Sequence, residues 1–326
     1  MLSMIDATLD FLSKHSSLIV TTHDPADPDG LGAEKLLYLI AKSMGKQIRI
    51  INSNPLPEKY RFMGMGNKVE SWSELTEPIT GNPALVVVDT SDEYHLGEIR
   101  YIIPYVSEIY MVDHHEPNQF CTFKGWVDST ASSVCEMAVE LAQAAGLKLS
   151  PEDAKAAYSG IVYDTGFFAY PKTTERTFKV ALALVQAGVN PYEIYQNLNE
   201  SCSIATLLLQ KRALSALQIY NQDRVAIQTL RLTDMDAVGG SFEDTKNFVN
   251  IPLRGKSIEV SILLKENKEG QVICSLRSKG KVNVSKLAQT MGGGGHVTAA
   301  GFKTTASIDE TLHTIFQKVS EALEEK

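Results

Sequence analysis

Six residues stand out by type and spacing: His23-x-x-x-Asp27-x-Asp29, Asp89, the central histidine of Asp113-His114-His115, and Asp164 within Gly-Ile-Val-Tyr-Asp-Thr-Gly. Carboxylate oxygens suit Mg2+ and Mn2+, and imidazole suits the borderline transition metals. Two histidines with four aspartates favour Mn2+, with Co2+, Mg2+, Fe2+ or Zn2+ as substitutes. Six ligand groups are too many for one ion that must keep a water. They suit two divalent ions roughly 3.5–4 Å apart, sharing a bridging carboxylate and activating a water between them. Asp27 and Asp29, two apart, read as an extended loop in which each faces a different ion.

These residues fall where strands should end. Ser17–Thr22, Gln47–Asn52, Ala84–Asp89 and Glu108–Val112 are short apolar runs that read as strands. Continuous β-branched stretches such as Val86–Val88 fit strands buried on both faces, as in a parallel sheet. Gly32–Ser43 and Glu58–Met63 read as the helices between them. Strands alternating with helices argue for a doubly wound, mostly parallel α/β domain. In such a sheet, ligands bind outside the carboxyl ends of the strands, near the reversal of strand order. Three strand ends then deliver carboxylates and imidazoles to one rim, and Asp164 joins them where a helix gives way to a loop. Each feature alone has a plainer account. A DxD is commonly a solvated turn, and a strand-end aspartate commonly caps the next helix. Convergence on one rim is what favours a metal site. His15, His95 and His313 lack such context and read as surface or packing residues.

Helices dominate next, at Ser132–Ala145, Pro151–Tyr163, Thr174–Ala187 and a long one over Ile204–Tyr220. Pro151 suits a helix start, with Ser150 as cap and Glu152 and Asp153 in the first turn. Strands return at Arg224–Thr229, Ser257–Leu264 and Gln271–Arg277, with helices near Ser285–Met291 and Ile308–Glu324. The organisation expected is a catalytic domain over 1–195, a helical linker over 196–221 and a smaller α+β domain over 222–326.

Composition excludes several classes. The 326 residues are 44% hydrophobic and 21% charged, which is globular and not disordered. Four scattered cysteines, Cys121, Cys135, Cys202 and Cys274, include no CxxC pair, so a zinc ribbon or redox dithiol is not expected. Such thiols fit a reducing, cytoplasmic setting. No run approaches 18 apolar residues, so no membrane partner is expected. The first residues read as an amphipathic helix and not as a signal peptide. A net charge of -8 disfavours a grip on long nucleic acid. From Asp223 onward, however, 14 basic residues meet 13 acidic ones, against 17 and 26 before it. No acid lies between Glu269 and Asp309, where Arg277, Lys279, Lys281, Lys286 and Lys303 fall. That segment attracts anions.

The motifs resemble those of the DHH phosphoesterases. Asp113-His114-His115 followed by Asn118 resembles the family signature, His23-x-x-x-Asp27-x-Asp29 its first motif, Asp89 its second, and the Asp164 motif its fourth. Gly292-Gly-Gly-Gly-His296-x-x-Ala299-Ala300-Gly301 resembles the signature of the associated DHHA1 domain. With Ser275-Leu-Arg277-Ser278 upstream, the chain is similar to the stand-alone branch. That branch includes oligoribonucleases acting on very short RNA, 3'-phosphoadenosine-5'-phosphate (pAp) phosphatases and cyclic-di-AMP phosphodiesterases. Two departures stand out: Ala26 holds a place where relatives often have proline, and Glu34 one where they often have a small residue. Neither removes a ligand. The resemblance implies one ion on His23, Asp27 and Asp89, and a second on Asp29, Asp89, His114 and Asp164. It makes Asp89 the bridge and sets His115 against the scissile phosphate, with Asp113 orienting an imidazole.

The glycine run has its own physical use. Backbone N–H groups converge on a phosphate only where no Cβ intervenes. Without a following Gly-Lys-Thr or Gly-Lys-Ser it is not a P-loop. Alone it reads as a flexible turn; inside the acid-free segment it reads as an anion anchor before a small helical turn. Arg277, Ser278, Lys279, Gly293, Gly294, Gly295 and His296 form the expected substrate-binding set. No long basic track with interleaved aromatics is present, so the expected partner is a molecule of two to a few nucleotides. A terminal phosphate held there acts as a ruler. A homodimer is left open. The leading function is a two-metal phosphoesterase releasing 5'-mononucleotides from short oligoribonucleotides and also dephosphorylating pAp. A cyclic-di-AMP phosphodiesterase is the alternative. An inorganic pyrophosphatase or a non-catalytic nucleotide-binding module fits less well.

Overall fold

A computed structural model describes residues 3–116 and 123–324; Asn118 and Cys121 lie outside them. The chain divides into two compact units, Met1–Ser201 and Cys202–Lys326. Among the described residues, no helix is long and apolar enough to cross a membrane.

The first unit runs α1 (Met4–Lys14), β1 (Ser17–Thr21), α2 (Pro28–Ser43), β2 (Gln47–Asn52), β3 (Val69–Ser71), β4 (Ala84–Val88), β5 (Ile109–Asp113), β6 (Lys124–Val127), α3 (Val134–Ala144), α4 (Pro151–Asp164), α5 (Glu175–Gln186) and α6 (Pro191–Asn199). Its six strands lie in the order β3-β2-β1-β4-β5-β6, all parallel. The order reverses between β1 and β4, so the crevice expected for ligands opens between their carboxyl ends. Val20 and Val86 sit in register there and pack on one face with Leu36, Val134 and Ile161. Ile19, Leu85 and Val87 pack on the other with Leu96, Ile99 and Ile102. Burial on both faces explains the unbroken valines of β4. Each such side chain contributes about 1.5–3 kcal/mol.

Two local readings are corrected. The stretch holding Asp29 is not an extended loop: α2 begins at Pro28, four residues before the helix read from sequence. Asp27 caps it, its Oδ1 accepting from the N–H groups of Asp29 at 2.9 Å and Gly30 at 3.2 Å. Two prolines and a glycine disguise that start, yet proline suits the first helical position. Gly32 lets α2 approach its neighbours, because a Cβ there would lie 2.6 Å from Cys135 Sγ and 2.7 Å from the Ala156 carbonyl. Glu58–Met63 is a 3-10 helix. The short strands β3 and β6 carry too few residues to show a period.

The second unit runs α7 (Ile204–Ser215), β7 (Gln218–Tyr220), β8 (Val225–Leu230), α8 (Leu232–Asp236), β9 (Val260–Glu266), β10 (Val272–Ser278), α9 (Val284–Gln289), β11 (Gly294–His296), β12 (Ala299–Thr304) and α10 (Ile308–Glu324). Its sheet order is β11-β12-β10-β9-β8-β7, antiparallel except for β8 beside β9. Val225, Ile262, Leu276, Ile315 and Val319 lie in its core. The long helix expected to Tyr220 ends at Ser215, and Gln218–Tyr220 is a strand. Asn221, Gln222 and Asp223 all take positive φ, which turns the chain back so that β7 pairs with β8. The glycine run is corrected too. It follows helix α9, and Gly294–His296 form a strand that pairs with Ala299–Gly301.

Candidate metal centre

Each strand end beside the reversal carries part of one cluster. His23 follows β1. Asp27 caps α2, and Asp29 sits in its first turn. Asp89 follows β4 in the left-handed backbone region, φ 61°. Aspartate is among the few side chains that tolerate that conformation. His114 and His115 follow β5, and Asp164 ends α4. The structure thus brings His23, Asp27, Asp29, Asp89, His114, His115 and Asp164 together.

Three groups of donor atoms lie within 4.8 Å of one another: His23, Asp27 and Asp89; Asp29, His114 and Asp164; and Asp89, His114 and His115. His23 Nε2 stands 3.4 Å from Asp89 Oδ2 and 3.6 Å from Asp27 Oδ2. His114 Nε2 stands 3.1 Å from Asp164 Oδ2, 3.3 Å from Asp89 Oδ1 and 3.7 Å from Asp29 Oδ2. Asp89 therefore faces one histidine with each oxygen. Although close, His114 Nε2 and Asp89 Oδ1 are buried and make no aligned hydrogen bond. Two ligand atoms about 2.1 Å from a shared ion are themselves roughly 3–3.5 Å apart. The spacing, the orphaned buried atoms and the mixed oxygen and nitrogen donors fit divalent cations.

The electrostatics agree with that fit. Burial opposes charge on His23, but the Asp27 and Asp89 carboxylates prevail and push it up to about 11. Burial likewise opposes charge on His114, which Asp164, Asp89 and Asp29 push up to about 11. Burial works to raise Asp89, yet the two imidazoles hold it below the ordinary carboxylate range. Burial and neighbouring carboxylates push Asp29 and Asp164 upward. The carboxylates that favour a proton on each imidazole are the same ones that would favour a cation there.

His115 is placed differently. Its Nδ1 lies 2.7 Å from Oδ1 of the fully buried Asp113 and 3.9 Å from Asp89 Oδ1, and its ring is half exposed. It can therefore face a bound group while its other nitrogen is held. One further residue escaped the sequence reading: Lys172 Nζ donates to the His114 carbonyl at 3.1 Å. Its only sequence signal is a lysine eight residues beyond Asp164.

Residues 17–161 match the DHH family, N-terminal domain, and residues 223–325 match the DHHA1 domain. The chain is a DHH-family protein. It is 28% identical over 314 residues to the bifunctional oligoribonuclease and PAP phosphatase NrnA of Thermus thermophilus, covering 95% of this chain and 90% of that protein. The Bacillus subtilis protein of the same name is 28% identical over 298 residues, covering 89% and 90%. An exopolyphosphatase-related protein from Bacteroides fragilis shares the fold, with a TM-score of 0.89, 25% identity and coverage of 99% and 96%.

Within the DHHA1 domain, the expected anchor residues take separate roles. Arg277, Ala299 and His296 are in register across β10, β12 and β11. Directly opposed residues share a sheet face, so Arg277 and His296 flank the small Ala299 at about two strand spacings, roughly 10 Å. Arg277 is partly buried, which draws its pKa down, and its Nη1 donates to the Leu276 carbonyl at 3.0 Å. Among the described residues, no carboxylate pairs with it. His296 is exposed. Ser278 Oγ is bonded to the Val282 carbonyl at 2.7 Å, and Lys279 Nζ to the Gly255 carbonyl at 2.7 Å. Gly293 and Gly295 serve close backbone approach: a Cβ would lie 2.2 Å from the Gly301 carbonyl and 2.5 Å from that of Ala299, and Gly295 has φ 138°. Gly294 borders open space.

Proposed function

We propose that this DHH-family protein is a Mn2+-dependent phosphoesterase that cleaves very short oligoribonucleotides to 5'-mononucleotides and removes the 3'-phosphate of pAp. The observation that carries the reading is Asp89, one oxygen toward His23 and the other toward His114, between two groups of metal-fitting donors. The names of the two relatives given above support the choice of substrate.

His23, Asp27 and Asp89 would hold one ion, and Asp29, Asp89, His114 and Asp164 the other. Two bound cations supply charge neutralisation at the phosphorus and an activated water. The protein's own groups do the rest. Asp113 fixes the His115 ring through Nδ1, which leaves Nε2 to donate a proton to the leaving oxygen. The half exposure of His115 gives a substrate access to it. Arg277 and His296 offer cationic and donor groups on either side of Ala299, a spacing that suits a phosphate with its nucleoside. Arg277 can fork onto the phosphate, because no carboxylate among the described residues pairs with its guanidinium.

Initial rates of the Mn2+-loaded chain on pApA, pAp and cyclic di-AMP, measured side by side, test the reading. Faster turnover of pApA and pAp is expected. A preference for the cyclic compound would replace it with a signalling phosphodiesterase, and no turnover of any of the three would overturn the phosphoesterase assignment.

A further inference from the structure

Behind Asp29, a connected set of ion pairs reaches the metal cluster through the start of α3. Asp29 is fully buried. Its Oδ2 accepts from the Val134 N–H at 2.7 Å and its Oδ1 from the Cys135 N–H at 2.9 Å. These are the first two residues of α3, so the carboxylate is seated on free N–H groups at a helix start. Its place is then only as well fixed as that first turn.

The turn is held from behind. Glu136, also fully buried, accepts from Ser132 Oγ at 2.7 Å through Oε2, and its backbone N–H donates to Ser133 Oγ at 3.0 Å. Arg176, on α5, brings Nε to 3.1 Å from Glu136 Oε1. The same guanidinium forks onto Glu140, with Nε and Nη2 at 2.7 Å each, and Nη1 donates to Asp128 Oδ2 at 2.6 Å. Asp128 in turn is tied to β5, its N–H donating to the Asp113 carbonyl at 2.9 Å. One side chain thus joins α5, α3 and the stretch 128–133 that feeds α3.

Three carboxylates on one guanidinium exceed what a surface ion pair requires. Exposed pairs contribute little, but removing one partner of a buried pair leaves a charge with no compensation. Glu136 is that charge. Without Arg176 it must turn outward or neutralise, and either response pulls on Ser132 and the first turn of α3. The group formed by His23, Asp27 and Asp89 has separate support, since Asp27 is bonded within its own helix start.

We propose that Arg176 is a positioning residue for one ion only: it holds the first turn of α3, and through the Val134 and Cys135 N–H groups it seats Asp29 in the Asp29, His114 and Asp164 group. This rests on the two-ion reading above.

Calorimetric titration of the chelator-treated full chain with Mn2+ tests it without relying on turnover. The wild type is expected to take two ions. Arg176→Ala, with its fold checked by circular dichroism, is expected to bind one ion as before and the other about 10- to 100-fold more weakly, the range for lost outer support of a metal ligand. Arg176→Lys keeps the charge but not the fork, and should recover part of the loss. Adding Asp164→Asn to Arg176→Ala should weaken that same ion further and leave the other as before, whereas adding Asp27→Asn should weaken both ions. Two unchanged ions in Arg176→Ala, or equal weakening of both, overturns the positioning role. Fewer than two ions in the wild type instead defeats the two-ion reading. If Arg176→Ala does not fold, Ser132→Ala decides in its place: weakening of one ion supports the proposal, and two unchanged ions overturn it.

Discussion

His115 Nδ1 and Asp113 Oδ1 lie 2.7 Å apart, with the carboxylate fully buried and the ring half exposed. Burial works against charge on His115, but the Asp113 bond and the Asp113 and Asp89 charges raise its pKa. A histidine raised in this way keeps its proton to higher pH than a free imidazole and loses it as pH climbs through its own pKa. If His115 protonates the leaving oxygen, activity falls on the alkaline side. Asp113→Asn removes both the charge and the strong acceptor, so that alkaline limb should move to lower pH. General-acid assistance is worth about 10²–10⁴-fold, so loosening the donor should lower kcat about 10- to 100-fold with KM nearly unchanged. A kcat profile against pH for the two proteins checks this; an unmoved alkaline limb would remove His115 from the acid role.

Asp89 faces both histidines of the cluster, and its substitution should be the most damaging of the set. Loss of support to a single metal site costs about 10–100-fold, and Asp89→Ala acts on two, which gives about 10²–10⁴-fold in kcat/KM. Metal content measured on the same preparation should fall as well. Activity near wild type would refute the bridging role.

Arg277 should act on binding and not on chemistry. Hydrogen bonds to charged groups contribute about 1.5–3 kcal/mol, so Arg277→Ala should raise KM for pApA about 10- to 100-fold with kcat largely kept. Arg277→Lys should recover only part, because an ammonium lacks the planar fork. Steady-state kinetics separate the two parameters. A pure kcat loss would put Arg277 at the reacting phosphate.

The first sheet was legible because burial on both faces leaves an unmistakable mark: Leu85–Val88 has nothing polar in it. The strand-end positions of Asp89 and of Asp113 to His115 followed from the same runs. Asp29 was legible as a residue but not as a helical one, since Pro25, Pro28 and Gly30 look like turn signals until Asp27 is seen to cap α2. Lys172 and Arg176 carried no pattern at all. Their partners lie 58 residues away in the case of His114, and 36 and 48 residues away for Glu140 and Asp128. Contacts over such separations depend on the packed arrangement of α3, α4 and α5. The strand within the glycine run stayed hidden for a related reason. Gly293 and Gly295 stand where two backbones nearly touch, and that pairing depends on β12, which lies outside the run.

Metal loading should release protons. In the metal-free cluster His23 and His114 are each pushed up to about 11, after burial is outweighed by the aspartates around them. Both imidazoles are therefore charged at pH 8, and each must give up its proton to become a ligand. Affinity for Mn2+ should accordingly rise with pH and fall as the solution is acidified. Titrations in buffers of differing ionisation enthalpy should give heats that differ in proportion to the protons taken up by the buffer. His114→Asn should reduce that proton count. Because the ions bind the folded chain, Mn2+ at 100 times its dissociation constant should also stabilise by about 2.7 kcal/mol per site, seen as a higher Tm that a chelator reverses. Heats that are independent of the buffer would mean that no net proton leaves on loading, and would refute protonated imidazoles at His23 and His114 in the metal-free cluster.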